Sequence, residues 1–264
     1  RLKSDGAIVM GKTVTTEFAS FDPPPTRNPW GLDHTPGGSS SGSAAGVAAR
    51  MFPAALGSQT AGSVLRPASY NGVVGFKPTL GRISRYGVFP VSWSVDTLGY
   101  FTRSVKDAAL LLDVLAGHDP LDTASSEAPV QPYSQAASAG GKSPRIGLVR
   151  DFFFERAEAA VRDHTERVAA TLADAGAHVE EIRVSADFDD MIAAHRVVMS
   201  VEMAAVHQQV FETRADDYAP HARETIEAGL LLPGITYVQS QRIRRRFRRS
   251  MEKAASACDI LLTP

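Results

Sequence analysis

Two glycine loops that carry serine stand near the start of this sequence. They read Pro36-Gly37-Gly38-Ser39-Ser40-Ser41-Gly42-Ser43 and Gly57-Ser58-Gln59-Thr60-Ala61-Gly62-Ser63-Val64-Leu65-Arg66-Pro67. A serine hydroxyl becomes a nucleophile when a base takes its proton and donors await the oxyanion that forms. The second loop offers such donors. Gly62-Ser63, followed by residues 64–68, reads as a turn into a short helix, where backbone N–H groups lack intrahelical partners. The amides of Thr60, Ala61, Gly62 and Ser63 can therefore face a developing oxyanion. Small residues at 61 and 62 admit a substrate carbonyl close to the backbone. No histidine lies in either loop to act as base. Ser39 is a candidate relay that passes the Ser63 proton onward.

Three plainer readings compete. A glycine–serine tract can be a flexible linker, but ordered-looking apolar segments flank both loops here. Gly6-Ala7-Ile8-Val9-Met10-Gly11-Lys12-Thr13 satisfies the bare spacing of a phosphate loop. Its middle, however, reads as an apolar strand, not a glycine-rich turn. Gly38-Ser39-Ser40-Ser41-Gly42 fits the G-x-S-x-G nucleophile elbow, with Ser40 as nucleophile. That elbow needs a hydrophobic strand leading into it, and Leu32-Asp33-His34-Thr35-Pro36 is not one.

The elements that must hold these loops follow from periodicity. Residues 7–10 suit a short buried strand ended by Gly11. Residues 21–36, with five prolines, read as an ordered surface loop. Residues 41–51 read as a helix of small residues, stopped before Pro53. Residues 104–116 read as an amphipathic helix with Ser104 as N-cap, a stripe of Ala108, Leu111, Leu112 and Leu115, and Gly117 as terminator. Residues 118–144 lack periodicity and read as a loop or linker. Strand 145–149, helix 155–175 and strand 178–182 then form a βαβ unit with a parallel pair. Residues 187–257 are largely helical, broken near Pro220 and at Leu232-Pro233-Gly234, and residues 259–262 close as a strand.

The pair of loops resembles the amidase signature family, whose members use a serine nucleophile, a second serine in a cis peptide and a lysine. The resemblance begins at Gly11-Lys12-Thr13 and runs through Thr26-Arg27-Asn28-Pro29-Trp30 and both serine loops. It continues through Gly72-Val73-Val74-Gly75-Phe76-Lys77-Pro78-Thr79, Gly81-Arg82-Ile83-Ser84-Arg85-Tyr86-Gly87, Asp96-Thr97-Leu98-Gly99 and Thr102-Arg103-Ser104-Val105. It is dense over residues 6–123 and weaker beyond. It implies Ser63 as nucleophile, Ser39 as cis-serine after Gly38, and the amides of residues 60–63 as the oxyanion hole. Loop support would come from Gly38, Ser40, Gln59 and Arg66. The implied base is a lysine that precedes residue 1. Lys12 matches a different family motif, and Lys77 is read as structural. Ala61 stands where glycine is commoner, and Gln59 where aspartate is commoner.

The implied fold is α/β, a mixed, twisted central sheet with helices on both faces. The chain reads as part of a single amidase domain truncated at both ends. Residues 1–123 would form the catalytic core, 124–144 a loop or linker, and 145–264 the βαβ unit plus a helical region. The implied function is hydrolysis of a small-molecule carboxamide through an acyl-enzyme, without metal or other cofactor. Tyr70, Asn71 and residues 89–93 are expected to build part of the acyl pocket. One alternative is the ammonia-releasing component of an amidotransferase, which takes ammonia from glutamine for a tRNA-dependent partner. Another is a catalytically silent fragment or scaffold.

The bulk properties agree with an ordinary globular enzyme. The 264 residues carry a net charge of −1, so nothing global points to nucleic acid or an anionic membrane. Arg242, Arg244, Arg245, Arg246, Arg248 and Arg249 read as a solvated helix face in preference to a polyanion site. A single cysteine, Cys258, excludes an internal disulfide and reads as a small buried hydrophobe. His195 and His207 read as surface or core residues of helices. No membrane partner is expected, a homodimer is left open, and the expected compartment is the cytoplasm.

Overall fold

The structure, a computed structural model, describes residues 1–264. It divides into two compact units. The first comprises Arg1–Ala139 and Met199–Leu231, the second Gly140–Val198 and Leu232–Pro264.

In the first unit the chain enters as an irregular segment and forms α1 (Ser41–Ala48), β1 (Ala54–Gln59), α2 (Leu65–Asn71), β2 (Val74–Phe76), β3 (Thr97–Thr102), α3 (Val105–Leu115) and α4 (Tyr133–Ser138). Strand β3 lies between β1 and β2 and is antiparallel to both, with Gly57 opposite Gly99 and Gln59 opposite Thr97. Helices α1 and α2 bury Ala44, Val47, Val64 and Ala68 around Phe101 of β3. Helix α3 lays Ala108, Leu112 and Leu115 against Tyr100, whose hydroxyl donates to the Ala108 carbonyl at 2.7 Å. Ser104 caps α3 by accepting from the Asp107 amide.

The second unit holds β4 (Arg145–Val149), α5 (Phe153–Arg156), α6 (Ala159–Asp174) and β5 (His178–Ile182). Helix α7 (Phe188–Arg214) starts in this unit and continues into the first, which also contains α8 (Pro220–Leu231). Helix α9 (Gly234–Ala255) and β6 (Ile260–Leu262) complete the second unit. Strand β4 is parallel to β5 and to β6. On α9, Phe247 packs against Phe188 with ring centroids 5.1 Å apart, while Arg242, Arg245, Arg246 and Arg249 are exposed. Cys258 is buried.

The elements are mixed α/β, as expected, but in place of one central sheet the strands form two three-stranded sheets, one antiparallel and one parallel. Strand patterns along a chain do not encode which strands pair. Residues 7–10 form no strand, and Ile8 and Met10 are 85% and 74% exposed. An apolar run supplies a strand's side chains, but a ladder also needs a neighbouring backbone. The expected helix 155–175 is two helices, α5 and α6, interrupted at Ala157, whose backbone is extended. Within residues 124–144 lies α4, held to the first unit by Asp113, whose carboxylate accepts from the amides of Tyr133 and Ser134 at 2.7 and 3.2 Å. Arg82 adds bonds to the carbonyls of Ala128 and Pro129. Residues 124–132 and 139–144 are irregular, and the units divide between Ala139 and Gly140.

Candidate active site

The first serine loop is built by close backbone contacts. The amide of Gly42, at the start of α1, donates to the Val14 carbonyl at 2.9 Å. A Cβ at Gly42 would lie 2.7 Å from the Val14 nitrogen, so only glycine lets α1 meet residues 13–16. The Gly38–Ser39 peptide is cis. The Ser39 carbonyl accepts from the amides of Thr16 and Ser41 at 3.1 and 2.9 Å. Ser40 turns away from this backbone: its hydroxyl accepts from the Ser58 amide at 3.2 Å and lies 3.3 Å from the Ser58 carbonyl. At 2% exposure and so engaged, Ser40 staples α1 to β1, whose end leads into the second loop.

The second loop follows β1. Gln59 ends the strand, and its side-chain oxygen accepts from the amides of Val64 and Leu65, each at 2.9 Å. The Arg66 amide donates to the Gly62 carbonyl. Pro67 sits in the first turn of α2, where a missing N–H costs nothing. Because Gln59 satisfies the first amides of the helix, the donors left over are those of Thr60, Ala61, Gly62 and Ser63, in the turn ahead of it. The amide of a neutral glutamine performs this capping without adding a charge.

Two bonds join the loops. The Ser40 amide donates to the Ser63 carbonyl at 3.3 Å, and the Arg66 guanidinium donates to the Gly38 carbonyl through Nε and Nη2 at 3.2 and 2.8 Å. Arg66 thus clamps the carbonyl of the cis peptide that Ser39 follows. Ser39 and Ser63 are both buried, at 2% and 7% exposure. Lys77 lies elsewhere: its ammonium donates to the Pro78 carbonyl at 2.7 Å, and burial pulls its pKa below the usual lysine range.

Asn71 and Tyr70 do not join a pocket with residues 89–93. Asn71 is fully buried and donates to the carbonyls of Pro36 and Pro67, tying α2 beneath the first serine loop. Tyr70 lines a separate cavity with Asn28, Trp30 and His34. A residue's place in sequence after the nucleophile does not reveal which way its side chain leaves the helix. Residues 88–91 and Trp93 instead face a cavity of about 600 Å³ that reaches Ser58 and Thr60.

Two carboxylates that local sequence signals did not single out organise that wall. Asp96 accepts from the Thr60 hydroxyl at 2.6 Å through one oxygen. Through the other it accepts from the amides of Val91 and Ser92 at 2.7 and 2.9 Å. Glu202, on α7, is 5% exposed and accepts from the hydroxyls of Ser92 and Ser94 and from the Ser94 amide. Asp96 belongs to one of the motifs that carry the resemblance, so a role could be suspected. Glu202 has no local signal, because its partners lie far away in sequence. Phe18 completes the wall in a left-handed backbone conformation (φ 45°), which for an aromatic residue costs roughly 1–3 kcal/mol.

The Amidase family model matches residues 1–264. Among curated proteins, two glutamyl-tRNA(Gln) amidotransferase A subunits are similar to it. The chain is 36% identical to the one from Trichlorobacter lovleyi and 37% identical to the one from Moorella thermoacetica, over alignments that include all of this chain. It spans about 60% of the length of each. Among solved structures, a chain from a vestigial protein complex bearing on the origins of an s-triazine catabolic enzyme superposes with a TM-score of 0.93 at 35% identity. All of this chain and 58% of that one are covered. A 6-aminohexanoate cyclic dimer hydrolase in complex with substrate superposes with a TM-score of 0.87 at 31% identity, over 97% of this chain and 57% of that one. With the serine loops on adjoining elements and the match running from end to end, the chain belongs to the amidase family.

Proposed function

We propose that the protein containing this chain hydrolyses a carboxamide through an acyl-enzyme on Ser63. The Ser63 hydroxyl oxygen attacks the amide carbon while its proton passes by way of Ser39 to a base. The carbonyl oxygen becomes an oxyanion held by the amides of residues 60–63. The C–N bond then breaks, the relayed proton goes to the departing nitrogen, and ammonia or an amine leaves. Water attacks the resulting ester, its proton following the same route, and the carboxylic acid is released with Ser63 restored. The base is a lysine upstream of residue 1, as the family resemblance implies. The observation that carries this reading is the pair of hydrogen-bonded serine loops, with the amides of residues 60–63 left without protein acceptors.

Fluorophosphonate labelling of the longer protein, followed by peptide mass spectrometry, tests it. Label on Ser63, lost in Ser63→Ala, is expected; label on Ser40 would revive the nucleophile elbow. Residues 1–264 expressed alone are expected to show no turnover. Turnover by them that Ser63→Ala abolishes would place the base inside this chain. The names of the curated relatives favour a second reading, an amidotransferase component that draws ammonia from glutamine. Glutamine hydrolysis dependent on co-purifying subunits would select it.

A further inference from the structure

The cavity beside Thr60 lies wholly within the unit that carries the serine loops. Its walls are apolar and ring-bearing: Phe18, Val88, Phe89, Val91, Trp93 and Leu98. Its volume, about 600 Å³, falls in the range of small-molecule sites. In this chain, which spans about 60% of its relatives' length, Phe89 and Trp93 are 60% and 51% exposed along the cavity.

Looseness does not explain that exposure. Asp96 and Glu202 hold the backbone and hydroxyls of residues 91–94. Arg85 adds bonds to the carbonyls of Trp93 and Asp96, each at 2.9 Å. Behind the wall, the Phe18 ring packs 4.6 Å from buried His207 and 5.6 Å from Phe89. The Phe89 ring is thus held by Phe18 and His207, and the backbone that carries Trp93 is held by Arg85 and by the bonds to its neighbours.

The charges along the cavity are largely spoken for. Both oxygens of Asp96 accept from neutral donors, three in all, and Asp122 accepts from the amides of Arg85 and Ala124 and pairs with the Arg85 guanidinium. Lys12 lines the rim as a cation outside any ion pair. An ammonium group entering here would have to share a carboxylate oxygen that already accepts from the protein.

We propose, building on the serine amidase reading above, that the substrate is a carboxamide whose acyl part carries an apolar ring, neutral or anionic, seated among Phe18, Phe89 and Trp93. The α-ammonium of free glutamine makes it a poor occupant of this cavity.

The test uses the longer protein. Binding of 3-phenylpropanamide and of L-glutamine to the Ser63→Ala variant is measured by calorimetry. The ratio of kcat/KM for 3-phenylpropanamide over acetamide is measured in the active protein, in Trp93→Ala and in the milder Phe89→Leu. Phenylpropanamide should bind at least tenfold more tightly than glutamine, and each substitution should lower the ratio, Trp93→Ala by tenfold or more. Equal or tighter glutamine binding, or an unchanged ratio in both variants, would overturn the proposal. If Ser63 takes no label and no amide is turned over, the amidase reading fails. Trp93-dependent binding of phenylpropanamide in that case would still support a ring-binding cavity.

Discussion

Single side chains decide which backbone groups in the second serine loop remain open to a substrate. Gln59 is the clearest case, since one carboxamide oxygen satisfies two amides that would otherwise compete with residues 60–63. Gln59→Leu should destabilise the protein by about 1–3 kcal/mol by stranding those amides. Gln59→Glu, which retains an acceptor, should lose less. Urea denaturation of both variants measures this, and equal losses would refute the capping role. Asp96 acts at the same scale by binding the Thr60 hydroxyl and the amides of Val91 and Ser92 together. Asp96→Ala should lower kcat in the longer protein by up to about 100-fold, because small displacements of oriented groups are expensive in rate. Asp96→Asn should recover part of it. A variant that loses thermal stability but keeps kcat and the labelling rate at Ser63 would show that Asp96 does not position Thr60.

At the scale of elements, the loops are held by close approach of α1, α2 and the antiparallel sheet. Gly75 on β2 is where α2 comes nearest. A Cβ there would lie 2.4 Å from the Ala68 Cβ and 3.1 Å from the Val64 carbonyl oxygen. Gly75→Ala should therefore push the helix off the strand and destabilise by about 1–3 kcal/mol. Gly141→Ala, which meets open space, is the control. Thermal melts of the two variants should differ clearly, and matching melts would mean that α2 can shift without penalty. Much of this layer was legible beforehand: α1, α3, β4 and β5 follow from small-residue spacing, capping and periodicity, as do the helix breaks near Pro220 and Pro233. Only the short helix α4 within residues 124–144 was not legible, because it is held by Asp113 and Arg82, contacts that leave no periodic trace.

At the scale of the whole molecule, acid should act in two separate windows. His207 is 1% exposed, its Nδ1 lies 2.9 Å from the Tyr218 hydroxyl, and burial lowers its pKa, partly countered by the Glu17 carboxylate. The unfolded chain then takes up a proton near the ordinary histidine value of 6.5 while the folded chain resists it. Stability is full above that value and falls as pH drops from it toward the folded pKa. Carboxylates held low in the folded state, such as Asp113 and Glu166 by their hydrogen bonds to Ser134 and Arg150, lose their contribution only below about pH 4. Denaturation midpoints measured from pH 8 to pH 3 should show both declines, and His207→Gln should flatten the upper one alone. An unaltered upper decline would assign it to another group. No helix is long and apolar enough to cross a membrane.

Local chemistry is what the sequence determined by itself. It specified two serine-bearing loops, a turn with unpaired amides, and capped and amphipathic helices, which depend on neighbours within a few residues and so are expressed in spacing. The resemblance to the amidase signature family was carried by a series of motifs from Gly11 to Val105. The tertiary structure decided which amides stay open once Gln59 takes its two, and that Ser40 is a staple. It also decided that Tyr70 and Asn71 point away from the cavity beside Thr60, and that the strands form two sheets. Apart from the Gln59 cap, whose partners lie five and six residues on, those outcomes rest on contacts between groups farther apart in sequence, such as Ser40 with Ser58, Asn71 with Pro36, and β1 with β3. No local pattern records them, because their free energy arises only when the elements have packed.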